Sequence, residues 1–260
     1  MHILVTNDDG VQAPGLLALA TELSSLGEVT ILAPDRNWSA SGHVKTMHRP
    51  LRVKPVLLAD GTPALSSDGA PSDCVALALL GVVEKPIDLV VSGINPNANV
   101  GHDVTYSGTV TAAMEAAIGG VRGMAVSLDA PEHHKGALDY AAAARVAGFV
   151  VNRLLQNTLP VNVLLNVNVP YLKYEEIKGI RVSRQGLRIY RDALIRREDP
   201  RGRPYYWIGG EAPTGVPREG TDFGDLQAGY VSVTPLHLDL TAHEQVAHMQ
   251  SWGWSADEIR

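Results

Sequence analysis

Asn7-Asp8-Asp9-Gly10 sets two carboxylates side by side where a short apolar run ends. Adjacent carboxylates repel, and in a partly buried loop neither is well stabilised as an anion unless a cation neutralises the pair or one stays protonated. A hard divalent metal is the simplest answer; a plain turn leading into a helix, which Asp also suits, is the other. Ala33-Pro34-Asp35-Arg36-Asn37-Trp38-Ser39-Ala40-Ser41-Gly42-His43 and Ser92-Gly93-Ile94-Asn95-Pro96-Asn97-Ala98-Asn99-Val100-Gly101 follow apolar runs in the same way. The three segments offer carboxylate, hydroxyl and amide oxygens but no thiolate and no imidazole pair. That donor set favours Mg²⁺ or Mn²⁺ over zinc, and His43 alone reads as a hydrogen-bonding loop residue.

A fourth segment, Tyr106-Ser107-Gly108-Thr109-Val110, turns from small polar residues into the strong helix former Thr111-Ala112-Ala113-Met114-Glu115-Ala116-Ala117. Free N–H groups, the positive end of a helix dipole and two hydroxyls make a phosphate cradle. Plain N-capping by Ser107 or Thr109 is the competing reading. Other devices are missing. There is no Gly-x-x-x-x-Gly-Lys-Ser/Thr, no Gly-x-Gly-x-x-Gly after a strand and no Gly-x-Ser-x-Gly elbow. His243-Glu244-Gln245-Val246-Ala247-His248 spaces its histidines five apart, off one helical face, and reads as a solvated turn.

The elements that must position these segments alternate. His2 to Thr6 reads as a strand, Pro14-Gly15 opens a helix through Leu23, and Val29 to Ala33 is a strand again. A helix at Ser72 to Leu80, a strand at Leu89 to Ser92, a helix at Thr109 to Ile118 and a strand at Met124 to Leu128 follow. A long helix from about Gly136 to Leu155 and a strand from Val163 to Val169 complete the pattern. Such alternation predicts a three-layer α/β core, a mostly parallel sheet with helices on both faces. In such sheets ligands bind outside the carboxyl ends of the strands, where the candidate loops fall. The 260 residues are expected to form one domain, with the α/β core over about 1–170 and a hairpin and C-terminal extension over about 178–260. In that extension, Ile180 to Ser183 and Pro204 to Ile208 flank the charged stretch Arg196 to Arg203 and read as antiparallel hairpins. Tyr205, Tyr206 and Trp207 suit either a subunit contact or packing within one chain.

Composition narrows the classes. With 45% hydrophobic and 19% charged residues the chain can bury a full core. Lys and Arg total 22 against 28 Asp and Glu, a net charge of -6, which removes the general reason to hold a nucleic-acid duplex. The N-terminal apolar run is too short for a signal peptide or a membrane span. The single Cys74, in an apolar run, is expected as a buried thiol and suits the cytoplasm.

Taken together, Ile3-Leu4-Val5-Thr6-Asn7-Asp8-Asp9-Gly10 with Ala13-Pro14-Gly15 resembles the opening of the SurE (survival protein E) family of 5'-nucleotidases. Ala33 to Ser39, Ser92 to Asn95, Tyr106 to Val110, Leu165-Asn166-Val167-Asn168-Val169-Pro170 and Gly229 to Leu236 resemble further family segments, in family order. The resemblance spans residues 1 to about 241. It implies a Rossmann-like core with a β-hairpin used in oligomerisation, as a homodimer or homotetramer, and a metal-dependent phosphatase acting on nucleoside monophosphates. By motif, Asp8, Asp9, Ser39 and Asn95 would bind the metal; Asn99, Ser107, Gly108 and Thr109 would hold the phosphate; Asp8 would also serve catalysis as nucleophile positioner or general base. Two departures stand out. Ala70 occupies a position where the family often has Thr, and Asn97 one where it usually has Gly. Both bear on substrate preference, and Asn97 is mild if its backbone is left-handed.

The reaction expected is metal-assisted attack of water on phosphorus, with 3'-monophosphates and short polyphosphate as further substrates to test. A non-catalytic nucleotide or phosphate sensor is the rival from another class. Asp8 and Asp9 weigh against it, because an anion site gains nothing from two further negative charges without a metal.

Overall fold

The computed structural model describes residues 1–255, apart from the side chains of Glu211 and Ala212. In chain order the elements are β1 (His2–Thr6), α1 (Pro14–Leu23), β2 (Glu28–Pro34), β3 (Val53–Leu57), β4 (Pro63–Ser67) and α2 (Pro71–Leu77). There follow β5 (Leu89–Asn95), α3 (Gly108–Ile118), β6 (Arg122–Asp129), α4 (Ala141–Gln156), β7 (Val163–Pro170) and β8 (Ile180–Val182). The chain closes with β9 (Arg188–Glu198), β10 (Pro204–Gly215), α5 (Asp222–Gln227), β11 (Val231–His237) and α6 (His243–Gln250).

The main sheet runs β3-β4-β2-β1-β5-β6-β7-β11-β8. It is parallel from β4 to β7; β3 pairs antiparallel with β4, and β11 antiparallel with β7. Helices cover both faces, so the central strands are apolar throughout rather than alternating. Within β1, Ile3 and Val5 pack with Leu16 and Leu19 of α1 and Val150 of α4. Leu4, on the other face, packs with Cys74 and Val75 of α2 and Ala112 and Ala116 of α3. Leu4, Leu16 and Leu19 are fully buried, each contributing roughly 2 kcal/mol.

The chain passes from β1 to β2 and β4 on one side, then crosses to β5, β6 and β7 on the other. The carboxyl ends of β1 and β5, paired through Thr6 and Ser92, therefore flank the point where the winding reverses. An open α/β sheet leaves a ligand crevice there.

The sequence reading and the structure differ in five places. The sheet does not close at β7, because β11 returns beside it and β8 joins β11; Ile180 to Val182 is thus a strand of the main sheet and not half of a hairpin. Strands β3 and β4 were not foreseen: Lys54 and Pro55 interrupt the apolar pattern, which an edge strand tolerates. Residues 136–140 precede α4 rather than belonging to it, with Gly136 at φ +100°. Helix α2 stops at Leu77 and continues as a wider turn over Ala78–Val82. The segment read as a C-terminal turn is the helix α6, with no buried residue.

The hairpin of β9 and β10 is a separate two-stranded sheet. Its outer part carries exposed apolar side chains, among them Leu194, Trp207 and Ile208, at 72%, 62% and 84% exposure. Among the described residues no helix is long and apolar enough to cross a membrane. Cys74 is buried, and burial pushes its thiol pKa up, leaving it inert.

Candidate active site

Asp8 leaves β1 into the crevice and is 3% exposed. Its Oδ1 accepts a 2.5 Å hydrogen bond from the hydroxyl of Thr109. Burial raises its pKa above the ordinary carboxylate value, while the Thr109 hydroxyl and the backbone N–H groups of Thr109 and Gly108 act in the opposite sense, favouring the charged form. The start of α3 thus faces the carboxylate of Asp8. That approach requires glycine at 108, where an added Cβ would lie 2.7 Å from Asp8 Cβ. Burial, then the neighbouring charge of Asp8, pushes Asp9 up to about 7. A divalent cation at the pair would reverse both effects by favouring the anions.

The second loop is laced to the first. The Trp38 N–H donates to the Asp8 carbonyl at 2.7 Å, Asn37 Nδ2 reaches Asp9 Oδ1 at 3.4 Å, and Asn37 Oδ1 accepts the Ser39 N–H at 2.7 Å. Asn95 ends β5, and its Nδ2 donates to the Asn97 carbonyl at 2.5 Å. Ser107 is the N-cap of α3 and accepts the Val110 N–H at 3.1 Å, so the capping reading holds for Ser107.

Asn99 is fixed from the sheet. Asn168 Oδ1 accepts its N–H at 2.8 Å, Asn166 and Asn168 donate to its carbonyl at 2.8 and 3.1 Å, and its own Nδ2 donates to Ser127 Oγ at 2.8 Å. The next turn is held by Asp222, which accepts the N–H groups of Gly101 and Gly186 at 2.8 and 2.7 Å. Sequence reasoning gave no role to Asn166, Asn168 or Asp222. The readable signal was two asparagines two apart on one face of a buried strand, where polar groups must find partners.

Asp8, Ser39, Asn95, Asn99 and Ser107 meet in the wall of one cavity of about 670 Å³. Asp9, Gly108 and Thr109 are not part of that lining, and the Thr109 hydroxyl is turned to Asp8. Tyr106, Arg188 and Phe223 also line it, as do the acidic Asp103, Asp129 and Glu132, with Arg188 paired to Asp103 at 2.7 Å and its guanidinium 5.6 Å from the Phe223 ring centre. Among the described residues no group of three or more His, Cys, Asp or Glu is placed to hold a metal. The two carboxylates with hydroxyl and amide oxygens fit a hard oxygen-seeking cation and not zinc.

A family model described as Survival protein SurE matches residues 3–192. The chain belongs to the SurE family. It is 54% identical to a "5'-nucleotidase SurE" of Herpetosiphon aurantiacus, over 98% of this chain and 99% of that one. A "5'-nucleotidase SurE" of Chloroflexus aggregans is 51% identical over 98% of this chain and 100% of its own length. The crystal structure of the SurE protein from Aquifex aeolicus superimposes with a TM-score of 0.81 at 41% identity, covering 97% of this chain and 99% of that one. The α/β fold is therefore that of SurE. Of the two departures from the family pattern, Asn97 is not left-handed, since Ala40 is the sole non-glycine residue with positive φ among the described residues; Asn97 adds a side chain to the cavity wall. Ala70 precedes α2, where its N–H donates to Asp73 Oδ2 at 2.9 Å.

Proposed function

We propose that the chain hydrolyses nucleoside 5'-monophosphates to nucleoside and phosphate in this cavity. The observation that carries the reading is the meeting of Asp8, Ser39, Asn95, Asn99 and Ser107 in one wall at the carboxyl ends of the strands. Aromatic surface from Tyr106 and Phe223 in the same wall suits a nucleoside better than a bare polyphosphate. Asp8, Asp9, Ser39 and Asn95 would hold Mg²⁺ or Mn²⁺, Asn95 through Oδ1 because its Nδ2 is engaged with Asn97. The cation, when bound, supplies neutralising charge and Lewis-acid activation at the phosphoryl group.

The protein's own groups do the rest. Asp8, aimed by Thr109, accepts a proton from the attacking water as the water oxygen bonds to phosphorus; the phosphorus–O5' bond breaks with its electron pair on O5', which takes up a proton from solvent to release the nucleoside. Asn99 and Ser107 donate toward the phosphoryl oxygens as charge builds there. The Gly108 and Thr109 amides strengthen this region indirectly, through their contact with Asp8. The exposed apolar side chains of the β9–β10 hairpin support a homodimer or homotetramer, and a lone buried thiol suits the cytoplasm.

The test is phosphate release from nucleoside 5'- and 3'-monophosphates and short polyphosphate, with Mg²⁺ or Mn²⁺ and again with EDTA. Metal-dependent release, fastest from 5'-monophosphates, is expected. Binding of nucleotide without turnover by folded, metal-loaded protein would replace the reading with that of a sensor.

A further inference from the structure

The loop carrying Ser39 runs from Asp35 to Arg52 without helix or strand, and such a segment is ordinarily mobile. Here five consecutive residues are fastened to the α2 and α3 side of the molecule. Gly42 donates its N–H to the Tyr106 carbonyl at 2.9 Å and accepts from the Thr111 hydroxyl at 3.2 Å. His43 Nε2 meets Glu115 Oε2 at 3.0 Å, Ser72 Oγ donates to the Val44 carbonyl, and Lys45 Nζ donates to Glu115 Oε1 at 2.9 Å. Thr46 donates its N–H and hydroxyl to the two oxygens of Asp73 at 2.8 and 2.6 Å.

Glu115 is the centre of this strap. It is only 6% exposed, sits on the third turn of α3, and each of its oxygens holds a different strap residue. It is not part of the cavity lining. An internal carboxylate of that kind is retained against its desolvation cost only where its partners stay in place. Upstream, Trp38 and Asn37 are tied to Asp8 and Asp9. The exposed turn between the two anchors, with Ala40 in the left-handed region at φ 56°, presents Ser39 to the cavity. Ala rarely adopts that conformation, so the turn needs its ends held.

We propose that Glu115 is a positioning residue for the hydrolytic site: through His43 and Lys45 it holds the strap that keeps Ser39 beside Asp8. The proposal rests on the reading of the cavity as a metal-dependent phosphatase site.

The experiment compares the parent with Glu115→Gln and with Lys45→Met, whose side chain is half exposed. Amide hydrogen exchange is followed on metal-free protein, and the Mn²⁺ concentration giving half-maximal thermal stabilisation is measured alongside kcat and KM. The expected result is exchange of the 39–46 amides at least about tenfold faster with the helical amides unchanged. The half-maximal Mn²⁺ concentration should rise several-fold, with most of kcat regained at saturating Mn²⁺. Strap exchange at the parent rate in both variants would overturn the proposal, and so would a loosened strap with unchanged Mn²⁺ dependence, which would leave Glu115 a structural ion pair. Should the parent release no phosphate, the function reading fails by itself, because exchange and Mn²⁺ stabilisation are measured without substrate.

Discussion

Asn168 holds the peptide of Asn99 at both its polar atoms, accepting its N–H at 2.8 Å and donating to its carbonyl at 3.1 Å. A loop on the cavity wall is thereby joined to β7, well inside the sheet. Asn168→Ala leaves a buried N–H without a partner, at a cost of about 1–3 kcal/mol in stability. Asn168→Asp keeps the acceptor but sets a second oxygen against the Asn99 carbonyl and buries a carboxylate at a fully enclosed position. Both variants should raise KM and lower the melting temperature, the aspartate variant less at low pH, where a protonated carboxyl can donate, as measured by steady-state kinetics and thermal unfolding.

Thr109 offers a sharper test because its hydroxyl donates to Asp8 while the residue itself is not part of the cavity lining. Thr109→Val keeps the shape and removes the donor. A loss of about 1.4 kcal/mol in aiming the carboxylate corresponds to a tenfold fall in kcat/KM, and Thr109→Ser should restore most of it. A Val variant with parental kinetics would show that Asp8 needs no such support.

Asp8→Asn separates chemistry from folding. It should lower kcat by more than about a hundredfold while leaving metal-free protein at least as stable, since the repulsion with Asp9 is gone and the Thr109 hydroxyl keeps an acceptor. Added Mg²⁺ or Mn²⁺ should raise the melting temperature of the parent, by the equivalent of about 2.7 kcal/mol at a hundred times Kd. The variant's melting curve should barely respond. Calorimetry on EDTA-treated protein with metal added back checks both statements.

Acid stability should depend on Glu115. The hydrogen bond from His43, working against burial and aided by Lys45, holds its pKa below the ordinary value of 4.5. A carboxylate depressed in the folded state stabilises above its unfolded pKa, and that stabilisation is lost as pH falls through the folded value. Glu115→Gln should thus be less stable than the parent at pH 7 and approach it as the pH falls below about 4. Denaturant unfolding at the two ends of that range provides the check, and an equal gap at both ends would contradict it.

The parallel core was legible because strands covered on both faces read as unbroken apolar runs, as in Leu89-Val90-Val91, and because Pro14-Gly15 marks a helix start. The loops that carry Asp8, Ser39 and Asn95 followed from strand ends, while the choice of Ser39 and Asn95 within them came from the family resemblance. Other features depend on tertiary partners that no local pattern reports. Strand β3 owes its form to pairing with β4 rather than to its own Lys54 and Pro55. Thr109 reads as a phosphate donor in sequence, and the structure shows its hydroxyl donating to Asp8, a partner 101 residues away in the chain that no local pattern reports. Ile180 to Val182 carries a hairpin-like pattern, but β11 claims it for the main sheet.

The contacts between Asp8 and Thr109, between Asn99 and Asn168, and between Gly101 and Asp222 each join residues far apart in the chain. During synthesis, which proceeds from the N-terminus, the ribosome delivers Asp8 long before Thr109 and Gly101 long before Asp222. A nascent chain therefore exposes its acidic loop without an assembled pocket around it, and the pocket is complete only after Asp222 has been made.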